Sequence, residues 1–369
     1  MRNIFLRVCL CLATFLSTVS VHAKDASAPA QTGTGKLLAQ AYAGNPTAMN
    51  ELGIAYFQGR GVVKNHAEAV KWFRKAAAKG QVVAQANLGL MYYKGDAVPK
   101  DAKLAAEWLL KAAEHGNPEA ANILGVLHLS GELGLEDLNS ARHWFEFAAE
   151  KGSAEAEYNL ADLYYLGRGV PQNKSKARAY LEKSAAHGYV QAMDNLGSLY
   201  DNGEGTAQDF SQAMKWFRMA AERGDALAEN NVGLMYLRGR GVAQDDAQAF
   251  KWSKRSAAQG YAAAQNSVGY LYEHGRGTQR NIAEALYWYE LAAAQGQVEA
   301  QVNAGILYAR GDGVPKDAAR ARMWLARAAD SGSPKARLVM SQLAPPLSQE
   351  ESQAANESDP PAELQSGDR

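Results

Sequence analysis

The chain has little thiol chemistry to offer. Its 369 residues include two cysteines. Both, Cys9 and Cys11, lie near the N-terminus, which excludes a disulfide-dense scaffold. Neither sign of charge is in excess, with 39 Lys and Arg against 39 Asp and Glu. A nucleic-acid binder working by bulk charge carries a basic surplus, so no nucleic-acid partner is expected. Beyond the N-terminal segment no run approaches the roughly 20 apolar residues of a membrane-spanning helix. Catalytic signatures are missing as well: Ser-x-x-Lys, Gly-x-Ser-x-Gly, His-Glu-x-x-His and the P-loop do not occur. The later histidines (His66, His115, His128, His143, His187 and His274) are scattered, and no two stand three or four apart as a helical metal pair would. No catalytic residue, metal site or cofactor is expected, and the chain is read as a non-enzyme.

What is present is 47% hydrophobic residues, enough for a core and too many for a disordered chain. Residues 1–23 read as a secretory signal peptide: Arg2 and Arg7, an apolar run from Val8 to Val19, and Val21-His22-Ala23 as cleavage site. Cleavage there leaves a mature chain without cysteine and without stable membrane insertion. The product would be exported, to the periplasm or, alternatively, outside the cell. Residues 24–36 are small and polar and read as a flexible linker. Residues 345–369 hold four prolines, six acids and one base, and read as a disordered acidic tail.

The dominant signal between the ends is a period. From Leu52-Gly53, steps of 36 land on Leu88-Gly89, Leu124-Gly125, Leu160-Ala161, Leu196-Gly197, Val232-Gly233, Val268-Gly269 and Ala304-Gly305, eight copies without an insertion. All seven tryptophans fall in one column, from Trp72 to Trp324, with Tyr180 in the remaining place. Alanine fills two further columns completely, starting at Ala48 and Ala69, and a glycine column runs from Gly80 to Gly332. Chance does not align this many columns.

Each column has a physical reading. Ala48, Leu52 and Tyr56 lie four apart on one helical face. A glycine inside that helix costs about 1 kcal/mol against alanine, so its recurrence implies close approach by a neighbour. Gly59-Arg60-Gly61 breaks the helix. The Asp or Asn at Asn65, Asp101, Asp137, Asn173, Asp209, Asp245, Asn281 and Asp317 is the N-cap of a second helix. That helix buries Ala69, Trp72 and Phe73 and ends at Gly80. Positive side chains just before the glycine column suit the helix dipole, which accounts for His115 and His187. His128 stands in for a packing tyrosine, and His66, His143 and His274 are read as surface residues. A hairpin of this kind cannot bury its own apolar face, so copies must stack. Half-copies at Leu37–Gly44 and Ser333–Leu343 read as caps. The fold class is therefore an all-α solenoid of eight 36-residue helix–turn–helix repeats plus capping helices, over residues 37–344.

The pattern Ala-x-x-x-Leu-Gly-x-x-Tyr-x-x-Gly-x-Gly-Val, followed by the Asp/Asn, Ala, Trp and Gly columns, resembles the Sel-one-like repeat, a relative of the tetratricopeptide repeat. The copy from Gly44 to Gly80 is close to its consensus, while Gly131-Glu132-Leu133-Gly134 in the third copy departs from the turn spacing. The resemblance implies a right-handed superhelix whose first helices line a concave surface, and a scaffold or adaptor that binds a protein or peptide. Exported bacterial relatives are linked to envelope biology or host contact. Cysteine-rich relatives are associated with β-lactams, a hallmark that a mature chain without cysteine lacks. Two alternatives follow: an envelope enzyme or β-lactam/peptidoglycan-binding protein, and a secreted factor acting on host cells.

Columns that vary mark the candidate groove, because packing does not fix them. Copies one to three supply Ile54, Phe57, Leu90, Tyr93, Val126 and Leu129. Copies four and five supply Tyr158, Asp162, Tyr165, Asp194 and Asp201. The expected site is a groove with an apolar N-terminal half and an acidic, tyrosine-bearing centre, made by Phe57, Tyr93, Tyr158, Asp162, Tyr165, Asp194 and Asp201. It fits a peptide with apolar anchors and a basic residue. Asn87, Asn159, Asn195, Asn231 and Asn303 recur in most copies and are assigned to hydrogen bonding between helices.

Overall fold

A computed structural model of the chain describes residues 31–343. The segments read as signal peptide and acidic tail, and the first part of the segment read as linker, lie outside the described residues. Eighteen helices occur among the described residues. A leading helix, α1 (Gln31–Tyr42), precedes eight hairpins: α2 (Pro46–Gln58) with α3 (His66–Ala78), α4 (Val82–Lys94) with α5 (Ala102–Glu114), α6 (Pro118–Ser130) with α7 (Leu138–Glu150), and α8 (Ala154–Leu166) with α9 (Lys174–Ala186). Then come α10 (Val190–Asn202) with α11 (Phe210–Ala221), α12 (Ala226–Arg238) with α13 (Asp246–Ala258), α14 (Ala262–His274) with α15 (Ile282–Ala294), and α16 (Val298–Arg310) with α17 (Ala318–Asp330). A last helix, α18 (Pro334–Gln342), closes the series. α1 starts at Gln31, inside the stretch read as linker, so helix replaces its last six residues.

The chain divides into two compact units at Asn195/Leu196. In the first, α1 to α9 pack in succession, each on the next. In the second, α11 to α18 do the same. Each unit is thus an array of stacked hairpins, the all-α solenoid that the period implies. First helices of successive copies also touch, as α4 does α6 and α16 does α18.

The local chemistry follows the columns. Every Asp or Asn of the cap column precedes a second helix and accepts a bond from its first turn, as Asp101 does from the Leu104 amide at 2.9 Å. The glycines from Gly80 to Gly332 all take positive φ, between 78° and 91°. Both alanine columns are buried throughout. The glycine inside the first helix lies against the residue after the tryptophan column: a Cβ on Gly53 would stand 2.6 Å from the Phe73 ring. The same clash recurs at Gly125 with Phe145 and at Gly269 with Tyr289. Close approach is therefore the reason for the mid-helix glycine. In the third copy, Gly131 and Gly134 hold φ of 71° and 139°, and the irregular turn leaves both flanking helices whole.

Candidate functional site

A ladder of side-chain bonds runs between first helices. Asn87 donates to Asn50 Oδ1 at 3.1 Å, Asn159 to Asn122 Oδ1 at 2.9 Å, and Asn303 to Asn266 Oδ1 at 3.1 Å. Each pair is 37 residues apart. Asn195 makes the same bond to the Tyr158 hydroxyl at 3.0 Å. The structural assignment of Asn87, Asn159, Asn195 and Asn303 holds. Tyr158, read from sequence as a groove contact, also serves as a rung, and its ring lies 5.2 Å from that of Tyr189.

The ladder explains which residues may vary together. Where Ala86 offers no acceptor, the residue 37 further on is Ile123, which offers no donor. One rung in the second unit is broken: Asn230 is buried and its Oδ1 has no partner, because Ser267 stands where the donor asparagine would. The Ser267 hydroxyl instead donates to the Ala263 carbonyl at 3.0 Å.

Asp162 stands apart. It is 3% exposed, in a column that holds Ile54 and Leu90 in other copies, and its Oδ1 has no hydrogen-bond partner. Burial pushes its carboxyl up to about 6, against a partial pull downward from the Arg168 guanidinium. Arg168 is itself bonded to Glu136. Asp194 is buried too. Tyr165 is half-buried, with the Lys174 ammonium 5.0 Å from its ring centre. Asp162, Asp194 and Tyr165, with Tyr158, belong to the first unit. Asp201 belongs to the second, where its carboxylate lies 3.9 Å from Arg240.

The apolar half is partly core. Ile54 is buried within the hairpin packing, and Leu90 is buried as well. Phe57 and Tyr93 remain half-buried. Burial, then Glu132, raises the Tyr93 hydroxyl to about 12. Phe57 borders a shallow cleft, with a cavity volume of about 20 Å³, together with Phe73, Asn87, Leu90, Met91, Lys94 and Asp96.

Two histidines differ from the sequence reading. His66 is no bare surface residue: its ring stacks on Phe57 with centroids 4.5 Å apart, and its Nδ1 lies 2.7 Å from Asp96 Oδ1. His187 does more than end a helix. Its Nδ1 is 2.8 Å from Oε2 of the buried Glu157, in the preceding first helix. Gln259 with Glu229 and Gln295 with Gln265 repeat this bracket at the same separation of 30 residues. The signal was present in the sequence as paired polar residues 30 apart, and was masked by the helix-dipole explanation. No group of three or more metal-ligating side chains occurs among the described residues. No helix there is long and apolar enough to cross a membrane.

Stacked helix pairs with a recurrent glycine contact and a capped second helix define a repeat solenoid. The Sel1 repeat model matches eight consecutive segments, from 46–81 to 298–333. The chain belongs to the Sel1 repeat family. Such solenoids generally mediate protein–protein interaction and are typically non-catalytic. Among solved structures it is similar to c5321, a protective antigen of uropathogenic Escherichia coli strains, at 34% identity with a TM-score of 0.76, covering 87% of this chain and 69% of that one. It is also similar to a Sel1 repeat protein from Oxalobacter formigenes, at 31% identity with a TM-score of 0.64, covering 89% and 97%. No curated protein matches the chain.

Proposed function

We propose that the protein is an exported adaptor, and that the first-helix face of its first unit holds a protein or peptide partner through Phe57, Tyr93, Tyr158, Asp162, Tyr165 and Asp194. The observation that carries this reading is Asp162. A buried carboxylate with an unmatched oxygen destabilises the fold, and such groups mark sites where an interaction with something else repays the cost. Its natural complement is a lysine or arginine of the partner. Asp201 is left out of this contact set, because its carboxylate faces Arg240. Export rests on the N-terminal sequence and is supported by the likeness to a protective antigen.

The test is a pulldown from the cell-envelope fraction with residues 24–369 as bait, beside baits carrying Asp162→Asn and Tyr165→Ala. A partner held by the parent and lost by both variants is the expected result. A partner held equally by all three removes Asp162 and Tyr165 from the interface. Recovery of the protein from culture supernatant instead of the periplasm would favour action outside the cell.

A further inference from the structure

The first-helix face changes character in the last three copies. Leu234, Leu237 and Ile306 are half-buried there, Tyr270 is 36% exposed, and Leu338 on α18 is 60% exposed. Four residues beyond Leu234, Tyr270 and Ile306 the helices end at Arg238, His274 and Arg310, all of them exposed. A cation suits a helix C-terminus, yet earlier copies place Gln58, Ser130, Leu166 and Asn202 in that column, so the dipole does not demand one. Arg238 and Arg310 make no ion pair among the described residues. The described chain stops at Leu343, which packs in the same small cluster as Ile306. Residues 344–369 therefore start beside this apolar strip. They carry six acids against one base, with Leu347 directly after Pro345 and Pro346. Pro360 and Pro361 fall in frame on the tryptophan column and the column after it, so this segment cannot supply the second helix of a ninth copy.

We infer that the start of the acidic tail folds back along α16, α14 and α12 and is the resident occupant of this strip, with Leu347 on its apolar residues and Glu350 and Glu351 on its arginines. The reach fits. Nine residues separate Leu343 from Ser352, about 30 Å when extended, and three steps between touching helices span about 24–30 Å. A segment too polar to fold alone takes its order from the surface it lies on. The ion pairs formed there are charge-assisted, and the leucine covers apolar surface that is otherwise open to water. An outside partner of this face would have to displace the tail, and would carry the same signature of an apolar residue followed by acids. The inference concerns the second unit and does not depend on Asp162.

The test is paramagnetic broadening of leucine methyl signals by NMR. Residues 24–369 hold no cysteine, so Ser352→Cys places a single nitroxide in the tail. The Leu237 methyl signals, identified by their loss in Leu237→Met, should be broadened away by the nitroxide and return when it is reduced. Glu350→Gln with Glu351→Gln on the same labelled chain should restore most of the signal. So should Arg238→Gln with Arg310→Gln, two exposed positions at which the fold is not at stake. Salt at about 1 M, where the Debye length is about 3 Å, should do the same. Undiminished Leu237 signals in the parent overturn the inference, as does broadening that neither pair of substitutions relieves. Broadening that arises only when a nitroxide-bearing chain is mixed with a separate methyl-labelled chain also overturns it, because the tail would then come from a second copy.

Discussion

At the scale of single residues, two side chains are poorly matched to their surroundings, and each gives a prediction of known sign. The folded-state value of Asp162 is raised to about 6 from an ordinary 3.8. Its contribution is therefore neutral below the unfolded value and turns unfavourable as pH rises toward the folded one. At pH 7 the cost approaches about 3 kcal/mol. Asp162→Asn should stabilise the protein at pH 7 by part of that amount and leave it nearly unchanged at pH 3.5. Denaturant titrations at the two pH values check this, and an equal effect at both would remove the charge from the explanation. Ser267→Asn should complete the broken rung by donating to Asn230 Oδ1, which has no partner. A net hydrogen bond contributes about 1 kcal/mol, so the denaturation midpoint should rise. The double variant Ser267→Asn with Asn230→Ala should lose the gain.

At the scale of helices and hairpins, steric contact outweighs propensity. Alanine in place of Gly53 gains about 1 kcal/mol of helix propensity, but its Cβ would meet the Phe73 ring at 2.6 Å. Overpacking of this kind costs about 1–3 kcal/mol, so Gly53→Ala should destabilise on balance, and pairing it with Phe73→Leu should recover part of the loss. Thermal melts of the single and double variants decide it. Asp101→Ala removes the acceptor of the Leu104 amide and should cost about 1 kcal/mol. These contacts were legible in the sequence because a repeat writes each one eight times: the caps, the glycine approach and the asparagine rungs were all readable as columns. What stayed hidden were contacts that join different columns. The 30-residue bracket from His187 to Glu157 looks like two unrelated variable positions until the helices are placed. His66 looked exposed because nothing local in the sequence connects it to Asp96. The burial of Ile54 and Leu90 was hidden for another reason: a first helix packs on three sides, and periodicity alone does not say which apolar column is left over.

At the scale of the molecule, the solenoid has no central core, and each copy is stabilised by its neighbours. Removing residues 262–297, one whole repeat, should leave a folded chain, because every retained cap and glycine contact stays in frame. The deletion takes out Ser267 and sets Asn303 opposite Asn230, whose Oδ1 has no hydrogen-bond partner. Helicity per residue by circular dichroism should be unchanged, and denaturant sensitivity should fall in proportion to length. Loss of cooperative unfolding would show that copy seven is not interchangeable with its neighbours. The equal spacing of all eight copies also bears on descent. Recombination between two copies in register yields a longer or shorter array in which the cap, alanine and glycine columns stay in frame. The length of such a protein can therefore drift by whole repeats at little structural cost. A residue that stands in one copy alone, such as Asp162, is what a crossover would duplicate or erase, so its place along the array is fixed only as long as the copy number is.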